Sequence, residues 1–158
     1  MVDQSFKVKP HDALFRLVFR RPEHAEGELR HALPEALVAR IDWTTLTPVE
    51  GSLIDDGLHE LMADLVFEVE LDGKAAWLYV LVEHQSRAER MMGLRLLRYM
   101  GRLWEHWRKS HTGERLLPPI VPLVVYHGPQ PWSAPTSFHD LVQLPESALA
   151  HLPSFHYL

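Results

Sequence analysis

The pattern of apolar and polar positions is most regular in the middle of the chain. From Asp64 to Leu71, apolar Leu65, Phe67, Val69 and Leu71 alternate with Glu68 and Glu70, the two-residue period of a strand with one face buried. Asp72-Gly73 follows, a dipeptide favoured in tight hairpin turns. Trp77 to Val82 is then an uncharged run of aromatic and aliphatic residues, which suits a central strand covered on both faces. The two segments predict an antiparallel pair. Ser86-Arg87-Ala88-Glu89 has the spacing of a capping box and predicts a helix start. Met92, Leu96, Tyr99, Met100, Leu103 and Trp107 continue it as one apolar stripe ending near Lys109. Ile120 to Tyr126 reads as another buried strand, placed near an edge or beside a bulge by Pro119 and Pro122.

Upstream, dense apolar residues from His11 to Phe19 predict a short helix. Pro22 and Pro34 favour two more, over Glu23 to Ala32 and Glu35 to Arg40. Ile41 to Gly57 holds turn formers (Pro48, Gly51, Asp55-Asp56-Gly57), with one short strand expected near Ser52 to Ile54. Downstream, Gly128 to Pro135 is a Pro-rich loop bearing Trp132, and Phe138 to Leu158 is weakly patterned. The expected architecture is α/β or α+β: a mixed sheet of about four strands, the long helix on one face and the N-terminal helices on the other.

A length of 158 residues sets the expectation of one domain spanning 1–158, and 46% hydrophobic residues suffice for a core. The chain has no cysteine, so disulfides, thiolate zinc sites and a cysteine nucleophile are excluded. Neither a secretory leader nor an apolar run long enough to span a bilayer is visible, and a soluble cytoplasmic protein without a membrane partner is expected. A net charge of −5 argues against a uniformly basic nucleic-acid binder. Yet Arg87, Arg90, Arg95, Arg98, Arg102, Arg108 and Lys109 face only Glu89 and Glu105 in the same stretch, a local balance of +5 that leaves −10 for the rest. Arg95, Arg98 and Arg102 share one helical stripe. It is either a solvated face or a set of contacts to a phosphate backbone.

The candidate chemistry lies at the strand ends. Residues two apart on a strand project to one side, so Glu83 and Gln85 pair while His84 points away. A tight turn brings the start of one strand beside the end of the next, which sets Asp64 near Glu83. Two carboxylates forced together repel unless a cation joins them, and oxygen donors of this kind suit magnesium or manganese. Such an ion activates water and offsets charge on a phosphate, the needs of phosphodiester hydrolysis. Charged strand ends also commonly just meet solvent. The eleven histidines form no His-Glu-x-x-His helix, and His106 with His111, or His151 with His156, are poorly spaced for one metal. Asp12 is expected to cap the first helix, Trp104, Trp107 and Trp132 to belong to the core, and Gly128 to form a turn.

Asp64-Leu65, Glu83-His84-Gln85-Ser86, Leu94-Arg95-Leu96-Leu97-Arg98-Tyr99-Met100, and Val124-Val125-Tyr126-His127-Gly128 before Pro131-Trp132 together resemble the Rpn family of recombination-promoting nucleases, also called YhgA-like putative transposases. His11-Asp12 with Phe15 resembles that family's opening motif. The resemblance runs from about His11 to the end. It implies the PD-(D/E)XK, restriction-endonuclease-like core, magnesium-dependent DNA cleavage and a role in DNA recombination. By motif position it assigns metal ligation to Asp64 and Glu83 and the third active-site position to Gln85. Arg16 replaces a common lysine. Gln85 stands where the superfamily usually has lysine, and an amide can orient water or phosphate but neither takes a proton nor supplies a cation. Arg87 or Arg90, a turn beyond, is the expected substitute charge. The rival expectation is a catalytically silent protein that keeps the fold to bind DNA or protein. Self-association is a third, drawn from the aromatic edge and Pro-rich tail. The family also continues past the position of Leu158, so further C-terminal residues are expected.

Overall fold

The computed structural model describes residues 19, 21–49, 65–83, 88–126, 128–143 and 146–158, with the backbone alone at Val82, Glu83 and Glu146. Pro22 opens α1 (Pro22–Ala32), where a first helical residue needs no amide proton. Pro34 then starts α2 (Glu35–Val38), a single turn rather than the longer helix expected to Arg40. Four strands follow: β1 (Ile41–Pro48), β2 (Leu65–Leu71), β3 (Lys74–Glu83) and β4 (Ile120–Tyr126), with α3 (Met92–Ser110) between the last two. Short 3-10 helices at Phe138–Leu141 and Glu146–His151 complete the described chain. Of the helix expected over His11 to Phe19, only Phe19 is described; it is helical and packs on the core. The strand expected at Ser52 to Ile54 lies outside the described residues.

The sheet runs β1-β2-β3-β4, antiparallel across the first two pairs and parallel across the third. Asp72 and Gly73 turn the β2–β3 hairpin with φ of 52° and 72°, the left-handed pair a two-residue turn needs. The parallel β3–β4 pair requires a crossover, which α3 supplies. The result is a mixed four-stranded sheet with helices, an α+β arrangement consistent with a restriction-endonuclease-like core.

β3 has both faces covered. Ala76, Leu78 and Val80 join Phe67, Val69 and Leu123 under Ala25, Leu29 and Leu33 of α1 and its C-cap. Trp77, Tyr79 and Leu81 join Val66 under Met92, Leu96, Tyr99, Leu103 and Trp107 of α3. All six residues of the expected α3 stripe are buried. The faces of β2 differ more. Leu65, Phe67, Val69 and Leu71 meet the α1 core, while the other side grades from buried Val66 through half-buried Glu68 to exposed Glu70. Glu68 accepts a 2.8 Å hydrogen bond from Trp77 Nε1, its register partner.

Two expectations need correcting. Ile41 to Pro48 is a strand rather than part of a turn region, because side chains repair its irregular pairing. Between Asp42↔Glu70 and Thr47↔Glu68 the register shifts, and Thr45 Oγ1 accepts the Glu70 amide at 2.8 Å in place of a backbone carbonyl. Helix α3 starts at Met92, not beside Ser86, and its N-cap Met91 makes no side-chain cap bond. The Glu89 carboxylate is bound by Arg95 Nη1 at 3.2 Å, and Ser86, the other half of the expected capping box, lies outside the described residues.

β4 lies at the sheet edge, as its prolines imply. Val124 donates outward to Leu158 O (2.7 Å), which places the nitrogen of Pro122, two residues earlier, on the same outer side. The missing amide proton therefore costs no bond to β3. Leu158 also donates to Pro122 O at 3.3 Å, and a Ser137–His156 bridge ties the tail together.

Candidate functional site

Glu83 is the last residue of β3 and is paired in register with Tyr126, the last residue of β4. Two parallel strands thus finish together, at the end of the sheet from which the chain leads into α3. Asp64, Gln85 and Arg87 lie outside the described residues, as does the Glu83 side chain. The last described β2–β3 pair is Leu65↔Val80, one residue along the chain from Asp64 and three from Glu83. Among the described residues no group of three or more histidines, aspartates or glutamates comes together as a metal site.

The arginine stripe divides. Arg95 is held internally: its Nη1 reaches Glu89, its Nε donates to Tyr99 Oη at 3.3 Å, and its guanidinium lies 5.7 Å from the Tyr99 ring centroid. Arg98 and Arg90 are exposed, and Arg102 is half-buried. Glu89, Met91, Leu94, Arg95, Arg98 and Tyr99 line an open depression at the start of α3. Trp107 is core, as expected, stacked on His111 with centroids 4.4 Å apart. Trp104 is half-buried and donates to Pro118 O.

Aromatic residues collect on this side of the sheet. Tyr79 meets Tyr99 edge-on at 6.2 Å, and Trp132 meets both Tyr126 (5.1 Å) and Tyr157 (6.0 Å) in T-shaped contacts. Such contacts suit rings whose positive edges meet negative faces. Tyr157 Oη donates to Pro135 O at 2.6 Å. Burial pushes its phenol above the ordinary value, and the negative charge of Glu89 adds to the rise.

Within it stand two polar atoms that the sequence did not single out. Tyr126 Oη and Trp132 Nε1 are buried and have no hydrogen-bond partner. Gly128 shows why the Tyr126 ring lies as it does. A Cβ at position 128 would overlap Tyr126 Oη, Cζ and Cε2, so the phenol folds forward over the glycine, past the strand end. Gly128 was expected to serve a turn, and its backbone is not in the left-handed region. The close approach of the ring is what requires glycine here. Only the Tyr126-His127-Gly128 spacing hinted at this in the sequence.

Asp64, Glu83 and Gln85 offer hard oxygen donors, in a chain without cysteine. The unpartnered Tyr126 hydroxyl adds a further oxygen at the end of the sheet where Glu83 closes β3. That chemistry fits magnesium or manganese and not a thiolate-bound metal.

Comparison with known proteins agrees with the reading of the motifs. No solved structure matches. The recombination-promoting nuclease RpnA of Escherichia coli (strain K12) is 37% identical over 128 residues, covering 78% of this chain and 43% of RpnA. RpnD, a recombination-promoting nuclease of Escherichia coli O157:H7, is 35% identical over 128 residues, covering 78% of this chain and 48% of RpnD. An inactive recombination-promoting nuclease-like protein of strain K12, RpnE, is 35% identical over 133 residues, covering 82% of this chain and 44% of RpnE. The chain spans less than half the length of these relatives. The family model described as "Putative transposase, YhgA-like" matches residues 9–158, and the chain therefore belongs to that family, whose relatives here are named recombination-promoting nucleases.

Proposed function

We propose that the chain is a divalent-metal-dependent DNA endonuclease domain that hydrolyses phosphodiester bonds. Asp64 and Glu83 hold magnesium, with manganese as the substitute, and Gln85 orients the attacking water or the scissile phosphate. A bound divalent ion would supply water activation and charge neutralisation at the phosphate. The observation that carries this reading is the place of Glu83, which ends a strand buried on both faces beside a parallel neighbour that ends with it. A rigid sheet end holds a ligand more closely than a loop does. Exposed Arg98 and Arg90, beside the depression at the start of α3, are the cations best placed to meet a DNA backbone. Arg87 and Arg102 belong to the same set. Arg95 takes part mainly by shaping the wall, since Glu89 and Tyr99 already engage it.

The test is nicking of supercoiled plasmid with magnesium, by wild type and by Asp64→Ala. Loss of nicking in the variant is expected, and equal nicking by both would refute the assignment. One observation favours a second reading, a silent nuclease fold that binds DNA or protein. A relative 35% identical to this chain is named inactive, and Gln85 lacks the proton chemistry of the usual lysine. Magnesium titration separates the two readings. Binding of DNA with no heat of magnesium binding would favour the silent one.

A further inference from the structure

Helix α3 buries one stripe of its surface, yet two large apolar side chains at its start lie off that stripe. Met91, its N-cap, and Leu94 keep 44% and 42% of their surface exposed, whereas Met92 and Leu96 beside them are in the core. Arg95 N donates to Met91 O at 3.1 Å, so Met91 already stands in helical register. Residues three and four apart on a helix are neighbours, and Leu94 therefore lies between Met91 and Arg98 along one edge. Met91 and Leu94 border an open depression of about 380 Å³, within which Arg95 is held by Glu89 at 3.2 Å and by Tyr99 at 3.3 Å. Arg98 on the rim and Arg90 next to Met91 are exposed cations. Exposed apolar residues scattered singly are ordinary, but a pair beside a depression marks a contact surface.

Two side chains are too little surface for a lasting protein partner, which takes roughly 800 Å² from each side. Set among arginines, they match a nucleic acid strand, whose charged phosphates are separated by apolar sugar and base faces. Methionine and leucine are also side chains that proteins wedge against DNA bases where a step unstacks. The position suits the candidate site: as the crossover from β3 to β4, α3 starts at the end of the sheet where β3 finishes with Glu83.

Resting on the nuclease reading, we infer that Met91 and Leu94 receive a base displaced from the stack while Arg98 meets a neighbouring phosphate, so that the preferred substrate is duplex DNA with an unpaired or easily unstacked base. A paired base must first give up its pairing and stacking, whereas an unpaired one leaves the stack at least cost. The contact is apolar, so it selects the unstacked state rather than a particular base.

The test is fluorescence anisotropy with a fully paired labelled duplex and with the same duplex carrying one extra unpaired adenine, calcium replacing magnesium to hold back cutting. Wild type should bind the bulged duplex tighter by roughly fivefold or more, the lower end of what one base contact contributes. Met91→Ser/Leu94→Ser should bring the two affinities together. Its affinity for the paired duplex and its melting temperature should stay as in wild type, because both side chains are exposed. Arg98→Ala should instead weaken both duplexes alike and lower the salt slope by about one. Equal binding of the two duplexes by wild type would overturn the inference, and so would a double variant that keeps the preference. A lowered sedimentation coefficient in that variant, with the preference kept, would assign the pair to contact between copies of the chain. Plasmid nicking with magnesium tells the parent reading apart. Nicking with equal binding of the duplexes refutes the base contact alone, whereas wild type that neither nicks nor binds either duplex refutes the nuclease reading and the inference with it.

Discussion

The two faces of β3 are packed by different chemistry. Toward α1 the strand offers Ala76, Leu78 and Val80 to a core of leucine, valine and Phe67. The one indole there, Trp43, donates to Val38 O at 3.1 Å and so leaves nothing unpaired. Toward α3 the same strand offers Trp77, Tyr79 and Leu81 to a mixed core in which Tyr99, Trp107 and Tyr157 stand among Met92, Leu96 and Leu103. Tyr126 Oη and Trp132 Nε1 stand unpartnered on that side, and so does His139 Nε2, on the 3-10 helix whose Phe138 and Leu141 pack against Gly93 of α3. No buried side-chain atom without a partner is found on the α1 side among the described residues. An aliphatic face contributes stability and is indifferent to chemistry. A face with unsatisfied polar atoms gives up stability, and the sheet end where it gives up most adjoins Glu83.

The largest effect that could break this contrast is expected from Phe67→Ala. Phe67 is fully buried in the α1 core, and its truncation should cost about 3–5 kcal/mol from lost burial and the cavity left behind. Trp132→Phe, on the other face, should cost far less, because Trp132 is only half-buried and phenylalanine keeps an aromatic ring in its place. Urea melts of the two variants measure the difference. Equal losses would mean that the α3 side is as tightly optimised as the α1 side, and the division would be wrong.

How much of this was readable beforehand follows from the same division. Strict periodicity exposed β2 and the α3 stripe, and unbroken apolar runs exposed β3 and β4, because burial on one face or on both leaves a regular trace in the sequence. It also located the strand end at Glu83. β1 left no such trace, since polar Asp42, Thr44, Thr45 and Thr47 break the alternation and Pro48 reads as a turn former. In the strand, Thr44 N and Oγ1 donate to Asp42 Oδ1, and Thr45 Oγ1 takes the Glu70 amide. Polar side chains do the work of a ladder there. The start of α3 misled as well: Ser86 to Glu89 has capping spacing, yet the helix opens at Met92. The Tyr126–Trp132 pair was invisible because it depends on a ring folding over Gly128, which no period encodes. The metal-ligand geometry itself lies outside the described residues, at Asp64, Gln85 and the Glu83 side chain.

A middle-sized effect separates the arginines on the α3 side. Arg95 and Glu89 are each mostly covered, with 25% and 34% of their side chains exposed. Arg95→Met should cost about 1 kcal/mol, and the salt dependence of DNA binding should keep its slope. Arg98→Ala should leave the melting temperature unchanged yet reduce that slope by about one. Fluorescence anisotropy with a labelled duplex across a salt series reads both. If Arg95→Met flattened the slope as much as Arg98→Ala, the internal pairing of Arg95 would not survive contact with DNA.

The smallest effect tests whether titration in the acid range belongs to the exposed parts of β1 and the β2–β3 turn, away from the sheet end at Glu83. Asp42 and Asp72 both have carboxyls held below the usual value of 3.8, the first by hydrogen bonds from Thr44, the second by its hydrogen bond with Arg40. A carboxyl depressed by folding contributes stability above its unfolded value and loses it as pH falls through the folded one. The difference in stability between wild type and Asp42→Asn should therefore be constant above about pH 4 and close below it. The two aspartates are then distinguishable by salt. Added sodium chloride should shrink the Asp72 contribution, which includes the charge of Arg40, and leave that of Asp42, which comes from hydrogen bonds to a neutral threonine. Both groups are exposed, so each effect should be smaller than those of Phe67 or Arg95. Thermal melts from pH 3 to 7 on the Asp42→Asn/Asp72→Asn double variant complete the test. An acid transition that survives there at full size would place the titrating group elsewhere, and a group beside Glu83 would move the pH response to the sheet end that carries the candidate site.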